Sequence, residues 1–262
     1  MSDSILLHVE GGLARVTFNR PASLNAMDFE MGGRWRDLAR QVTSDPSIGA
    51  VILDAAGPAF CAGGDVVAMA TSGAGGEAVT ATAHVIHEGI RTFALSDKPI
   101  VAAVQGAVAG GGLGLMLTAD YVVAADTAKF VSKYANIGLT PDLGVSTLLP
   151  AAIGQRRALQ LLLQDRTLSA AEALDWGLVA EVLPGAEVAV RAAEIAQFWL
   201  ANATAAFGNA KRLVRVGADR SFADNLDDEA ASIGARFDTP ESQMRVAAFA
   251  AASRKASTKE NA

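Results

Sequence analysis

Cysteine is almost absent: Cys61 is the single one in 262 residues. That excludes an internal disulfide and a thiolate metal cluster, and it fits a reducing cytoplasm. Positive charge is also short. A net charge of -6 with a pI near 5.1 argues against the broad basic face that nucleic acid requires, leaving room for a local patch facing one phosphorylated ligand. Aromatic residues make up 6%, too few for an aromatic-rich binding surface, while Ala and Gly favour close packing of helices and backbone. No apolar run reaches the length of a membrane span: Ala102 to Met116 is studded with glycine and stops at Asp120. The start, "MSDSILLHVEGG", lacks the basic region and apolar core of a signal peptide.

What is present reads as one main α/β domain. "ILLHVEGGLARVTFNRP" predicts a hairpin around Gly11-Gly12 that Pro21 ends, "MDFEMGGRWRDLARQV" an amphipathic helix, and "GAVILDAAG" a buried strand over Ala50 to Ala55. The unit recurs as strand "KPIVAAVQG", buried helix "GGGLGLMLTA" and strand "DYVVAAD", implying a sheet built from crossover units. Ala70 to Thr82 reads as a flexible loop before a helix over Ala83 to Phe93. In "SAAEALDWG", Ser169 and Glu172 form a capping box and Gly177 a helix stop. From Val188 onward the pattern is wholly helical, and "SRKASTKENA" reads as frayed. The division expected is a core over residues 1–200 and a helical region over residues 201–262.

The stretch "AVAGGGLGLMLTAD", Ala107 to Asp120, places glycines at the mouth of a buried helix. It lacks the Gly-Lys-Ser/Thr ending of a phosphate loop and does not fit G-x-G-x-x-G. Two readings stay open: close packing of helix on strand, or approach of a ligand to bare amides at a helix start. "FCAGGDV", Phe60 to Val66, follows a strand in the same way, and two such turns can form one two-donor site for a developing oxyanion.

The chain resembles the crotonase (enoyl-CoA hydratase/isomerase) superfamily over nearly its whole length. The carriers are "FNRPASLNAM", "FCAGGDV", "KPIVAAVQGAVAGGGLGLMLTADYVVAADTAKF", "IGLTPDLGVSTLLPAAIG" and "LSAAEALDWGLVAEV". The resemblance implies a ββα spiral core, a C-terminal helical trimerisation region and an acyl-CoA thioester as ligand, in a homotrimer or a dimer of trimers. It also implies that the amides of Gly64 and Gly111 hold the thioester oxygen, and that the nucleotide and pantetheine lie along Ala22, Ser23, Leu24 and the backbone at Ala62. Coenzyme A enters as part of the substrate, with no metal or redox cofactor.

Departures from the family are equally informative. The two glutamates that handle water in its hydratases fall on Gly114 and Tyr134, so ordinary hydration is not expected. Asp142 is a candidate single base, as in double-bond isomerases of the family; as a bare residue it could equally cap the helix that follows. His87 reads as a half-buried helix residue, yet His87 and Asp142 match positions in 4-chlorobenzoyl-CoA dehalogenase, where Asp is the nucleophile and His the base. The aromatic positions of that enzyme's ring pocket fall here on Gly64, Ile86 and Tyr134, which do not make an aromatic cage. Asp65 and Asp120 read as turn anchors and Cys61 as a small apolar residue; His8 and His84 carry no assigned role. The reading reached is an acyl-CoA isomerase shifting a double bond from β,γ to α,β. The alternatives are a dehalogenase or hydrolase using Asp142 with His87, and a catalytically weak CoA-ligand binding protein.

Overall fold

The computed structural model describes residues 4–164 and 166–260. An antiparallel hairpin, β1 (Ile5–Glu10) and β2 (Leu13–Phe18), opens the chain. Helix α1 (Phe29–Ser44) is capped by Asp28, whose side chain accepts from the Met31 amide, and strand β3 (Ala50–Ala55) then pairs in parallel with β2. Two helices follow, α2 (Val66–Thr71) and α3 (Gly76–Ala94). The expected loop over Ala70 to Thr82 is therefore largely helical. Its Gly, Ala, Ser and Thr composition gives weak helix propensity, and packing against α1 overrides it. That contact is close: a Cβ on Gly32 would lie 2.8 Å from Ile86, and one on Gly89 2.5 Å from the Trp35 ring.

The next turn of the spiral places β4 (Ile100–Val104) in the large sheet, β5 (Ala107–Ala109) in a small one, and then α4 (Gly111–Leu117). The turn after it gives β6 (Tyr121–Ala125) and β7 (Lys129–Val131), followed by α5 (Val145–Ile153) and α6 (Gln155–Leu163). Strand β8 (Thr167–Ser169), helix α7 (Ala170–Trp176) with the expected Ser169–Glu172 capping box, and strand β9 (Glu181–Leu183) complete the two sheets. Helices α8 (Gly185–Ala201), α9 (Thr204–Gly217), α10 (Phe222–Phe237) and α11 (Pro240–Glu260) end the chain. Through Glu260 the tail is helical rather than frayed; Asn261 and Ala262 lie outside the described residues, as do Met1 to Asp3.

Among the described residues the large sheet runs β1-β2-β3-β4-β6-β9 and the small one β5-β7-β8. Strands β3, β4 and β6 are largely apolar because both faces are covered, with Asp54 near the end of β3 bonded to Arg15 and Thr17. Val51 and Leu53 face the main core with α1, while Ala50, Ile52, Val101 and Ala103 face α8 at Val188, Ala192 and Ile195. Phe18, Trp35, Phe60 and Phe93 form a chain of ring contacts through that core, with centroids 5.0–5.8 Å apart.

Helix α9 docks on this body through a buried charge. The Lys211 ammonium donates to the carbonyls of Phe93 and Lys98, each at 2.8 Å, and pairs with Asp120 at 3.1 Å. Burial lowers its pKa, and Asp120 opposes that shift. Asp120 also accepts from the Ile100 amide at 2.9 Å, the anchoring role expected of it. Val214, Phe222, Ile233 and Phe237 on α9 and α10 are exposed on the single chain. No helix among the described residues is long and apolar enough to cross a membrane.

Candidate active site

Arg20 builds the frame. Its guanidinium pairs at 3.0 Å with Asp28 and with Asp65, the residues that cap α1 and α2. The Ala68 amide, with Arg20 beside it, holds the Asp65 carboxyl below the usual range. Asn25 is fully buried in a left-handed conformation that Asn tolerates. It accepts from the Arg20 amide and donates to the carbonyls of Ala56 and Ala59. The turn that carries the first glycine pair is thereby fixed on both sides.

Between the two capped helices, Met27 forms a one-residue parallel bridge with Gly64. The Met27 amide donates to Gly63 O at 2.7 Å, and Met27 O accepts from the Asp65 amide at 2.9 Å. In such a bridge the neighbours of Gly64 use their groups on Met27, and Gly64 turns its own N–H to the opposite side, into a cavity. Gly63 has φ +99, and a Cβ there would stand 2.8 Å from Ala109 O and 3.3 Å from the Gly111 nitrogen. The two glycine turns thus touch. Gly111 is the first residue of α4, where a helix leaves its amides without internal partners. Among the described residues neither the Gly64 nor the Gly111 amide has a backbone acceptor. These are two unpaired donors facing one cavity, an arrangement able to hold an oxyanion.

The carboxylate stands across from them. Asp142 does not cap α5: the residue before that helix is Gly144, and it makes no side-chain cap bond. Instead Asp142 Oδ1 accepts from the Tyr134 hydroxyl at 2.5 Å. Burial, reinforced by the Asp142 charge, pushes the Tyr134 pKa up, so the phenol stays a donor. Leu143 follows with φ +51, a left-handed conformation uncommon for a branched residue. Its amide donates to His87 Nε2 at 3.1 Å. The His87 pKa is lowered, first by burial and further by His84 and Arg91, against the pull of Asp142. A neutral ring accepting at Nε2 carries its proton on Nδ1.

The cavity has a volume of about 450 Å3, within the range of small-molecule sites. Asp142, Gly64, Gly111, His87, Tyr134 and Ala62 all line it. Ala22 to Leu24 sit just outside, on a 3-10 turn over Pro21–Ser23 joined to the site by a bond from the Ala62 amide to Leu24 O at 3.0 Å. Gly114 is not in the lining; a Cβ there would lie 1.9 Å from Leu143 O. Cys61 is buried with its thiol pushed up to about 12, so it stays protonated and apolar in character.

Sequence reasoning does not reach Leu143, which closes over α4, or Ser132, whose hydroxyl is buried at the cavity wall. His84, to which the sequence assigns no role, lines the cavity on α3, 6.3 Å from His87 between ring centroids. For His84 a sequence signal exists, three residues before His87 on one helix face. For Leu143 there is none.

A cavity that holds the Tyr134-tethered carboxylate of Asp142 and two amides without backbone acceptors is equipped to polarise a carbonyl and move a proton beside it. The chain is a member of the enoyl-CoA hydratase/isomerase family, whose description matches residues 8–260. It is 33% identical over 229 residues to the 1,2-epoxyphenylacetyl-CoA isomerase of Escherichia coli (strain K12), covering 87% of each chain. To the 4-chlorobenzoyl coenzyme A dehalogenase-2 of an Arthrobacter species it is 32% identical over 240 residues, covering 91% of this chain and 87% of that one. The crystal structure of an enoyl-CoA hydratase/isomerase from Cupriavidus metallidurans superposes with a TM-score of 0.87 at 31% identity, covering 95% of this chain and 94% of the other.

Proposed function

We propose that this acyl-CoA enzyme shifts a carbon–carbon double bond of its substrate from the β,γ to the α,β position through an enolate. The observation that carries the reading is the pairing of Tyr134 with Asp142 in the cavity that the Gly64 and Gly111 amides face. The two amides take the thioester oxygen and polarise the carbonyl, each such donor lowering the barrier by about 3 kcal/mol. Asp142, with Oδ1 on Tyr134, uses its other oxygen to take the α-proton. The C–H electrons form a dienolate, and its charge rests on the thioester oxygen. Asp142 then returns the proton to the γ-carbon, leaving the double bond between α and β. The balance needs neither water nor an outside oxidant. The likeness to an isomerase named for a CoA thioester supports the same direction.

The dehalogenase reading has one observation in its favour, the presence of His87 and Asp142 in one cavity. Against it, His87 Nε2 is already engaged by the Leu143 amide, so it is a poor base for the water that would release a product from Asp142. Assembly as a trimer or a dimer of trimers belongs to the same proposal, supported by the exposed apolar residues on α9 and α10.

Matched α,β- and β,γ-enoyl-CoA thioesters incubated in heavy-oxygen water separate the readings. The expected result is interconversion with no label in the product, lost in Asp142→Asn while thioester binding persists. Rapid label at the β-carbon that survives Asp142→Asn would sink the isomerase assignment. In a parallel incubation with 4-chlorobenzoyl-CoA, loss of chloride with label entering the ring position it leaves would transfer the assignment to the dehalogenase.

A further inference from the structure

Among the described residues four buried side-chain atoms lack a hydrogen-bond partner: Trp35 Nε1, Ser132 Oγ, Asn225 Oδ1 and Arg236 Nε. Of these four residues Ser132 alone lines the cavity of the candidate active site. It is 2% exposed. A buried hydroxyl gives up its bonds to water on folding, and leaving it unpaired is costly enough that native proteins seldom do so without a reason. Ser132 also borders a second cavity of about 230 Å3 lined by Asn136, Leu162 and Gln164, so it stands in the wall between the two spaces.

Its place along the substrate follows from the backbone. The Gly110 amide donates to Val131 O at 3.0 Å, and a Cβ on Gly110 would lie 3.4 Å from Ser132 O. Ser132 is therefore packed on the residue just before the Gly111 amide, close to where the thioester is held. The rest of the wall is mixed: Phe29, Ile86, Ile137 and Leu139 carry no hydrogen-bonding group, while Thr80, Thr82, His84 and Thr140 do; among the described residues of this wall, Ser132 is the one whose buried side-chain atom has no partner. A plain hydrocarbon acyl group would leave the Ser132 hydroxyl unpaired and cut off from water. An acyl group with an oxygen near the thioester would pair it.

We propose that Ser132 is a specificity-determining residue whose hydroxyl hydrogen-bonds an oxygen carried on the acyl group within a few carbons of the thioester. The substrates this favours are acyl-CoAs with a hydroxyl, keto or ring oxygen rather than unsubstituted enoyl-CoAs. A site with a buried polar group discriminates strongly against the analogue lacking its partner, whereas an apolar wall discriminates weakly. The inference rests on the acyl-CoA reading and on the Gly64 and Gly111 amides as the thioester site. It does not depend on the double-bond shift.

The test is calorimetric titration of the Asp142→Asn protein, chosen to prevent turnover, with butanoyl-CoA, 3-hydroxybutanoyl-CoA and 4-hydroxybutanoyl-CoA. Ser132→Ala in the same background is titrated alongside. At least one hydroxylated thioester should bind about tenfold more tightly than butanoyl-CoA, and Ser132→Ala should collapse that ratio towards one without lowering Tm. An affinity ratio unaltered by Ser132→Ala, or no preference in the parent protein, overturns the proposal. So does a lowered Tm in Ser132→Ala, since it would mean that the hydroxyl serves the fold. A protein that shows this preference yet fails to shift a double bond would lose the isomerase reading and keep this one.

Discussion

His87 Nε2 accepts a hydrogen bond from the Leu143 amide at 3.1 Å, across 56 residues of sequence. This bond ties α3 to the turn that presents Asp142, and it requires an unprotonated Nε2. The lowered His87 pKa, set first by burial, favours the neutral ring that this bond requires.

The pH dependence follows from the sign of that shift. A histidine whose folded pKa lies below its unfolded value contributes stability that is present above the unfolded pKa, about 6.5. That stability is lost as pH falls through the folded pKa. Protonation then sets an Nε2–H against the Leu143 N–H, and the Asp142 turn is released. Turnover should therefore decline as pH falls through this lowered His87 pKa, on the acid side of the ordinary histidine range, with a matching loss of thermal stability. His87→Gln should keep a side-chain acceptor and flatten the decline, whereas His87→Ala should lower kcat about tenfold at neutral pH, the effect of losing a bond worth about 1 kcal/mol together with the geometry it fixes. An acid limb unchanged in both variants would remove His87 from this positioning role.

Tyr134 acts on Asp142 at shorter range. Tyr134→Phe keeps the buried ring and removes the donor to Asp142 Oδ1. A hydrogen bond to a charged group contributes about 1.5–3 kcal/mol, so kcat should fall by about 10- to 100-fold, with a smaller change in KM. Circular dichroism and Tm should stay close to those of the parent. A purely structural tyrosine would show the reverse, with a lowered Tm and an intact kcat.

The parts of this molecule legible in the sequence are those written locally. The Gly11-Gly12 hairpin, the Ser169–Glu172 capping box and the buried runs of β3 and β4 follow from spacing alone. The two glycine turns are visible as candidate donors because each follows a strand. Their meeting at one cavity is a tertiary fact, fixed by the contact of Gly63 with Ala109 and Gly111. The first turns of helix α3 are hidden because their small residues carry a weak helical signal; Trp35 and Ile86 supply the packing that stabilises the helix. Asp142 stands out as a carboxylate, but nothing in "YANIGLTPDLG" distinguishes a helix cap from a partner of Tyr134. That choice is made by the left-handed turn at Leu143 and its bond to His87.

Gly114 marks where a hydratase glutamate would stand, and the turn after Asp142 has taken its space. A Cβ at Gly114 meets Leu143 O at 1.9 Å and Leu143 C at 2.8 Å, both backbone atoms that cannot rotate away. Gly114→Ala should thus force Leu143 outward, break its bond to His87 and move Asp142, at an overpacking cost of about 1–3 kcal/mol. The expected readout is a Tm lowered by several degrees together with loss of turnover. Gly114→Glu, alone or with Tyr134→Glu, should gain no hydration, because the longer side chain deepens the same collision. Gly33 is the control within the same fold. It sits inside α1, and a Cβ added there would meet nothing within 4 Å, so Gly33→Ala should raise stability by about 0.5–1 kcal/mol through helix propensity. Opposite signs of the Tm shift for these two Gly→Ala changes are the prediction. A stable, active Gly114→Ala protein would show that the Asp142 turn does not rest on α4 as described.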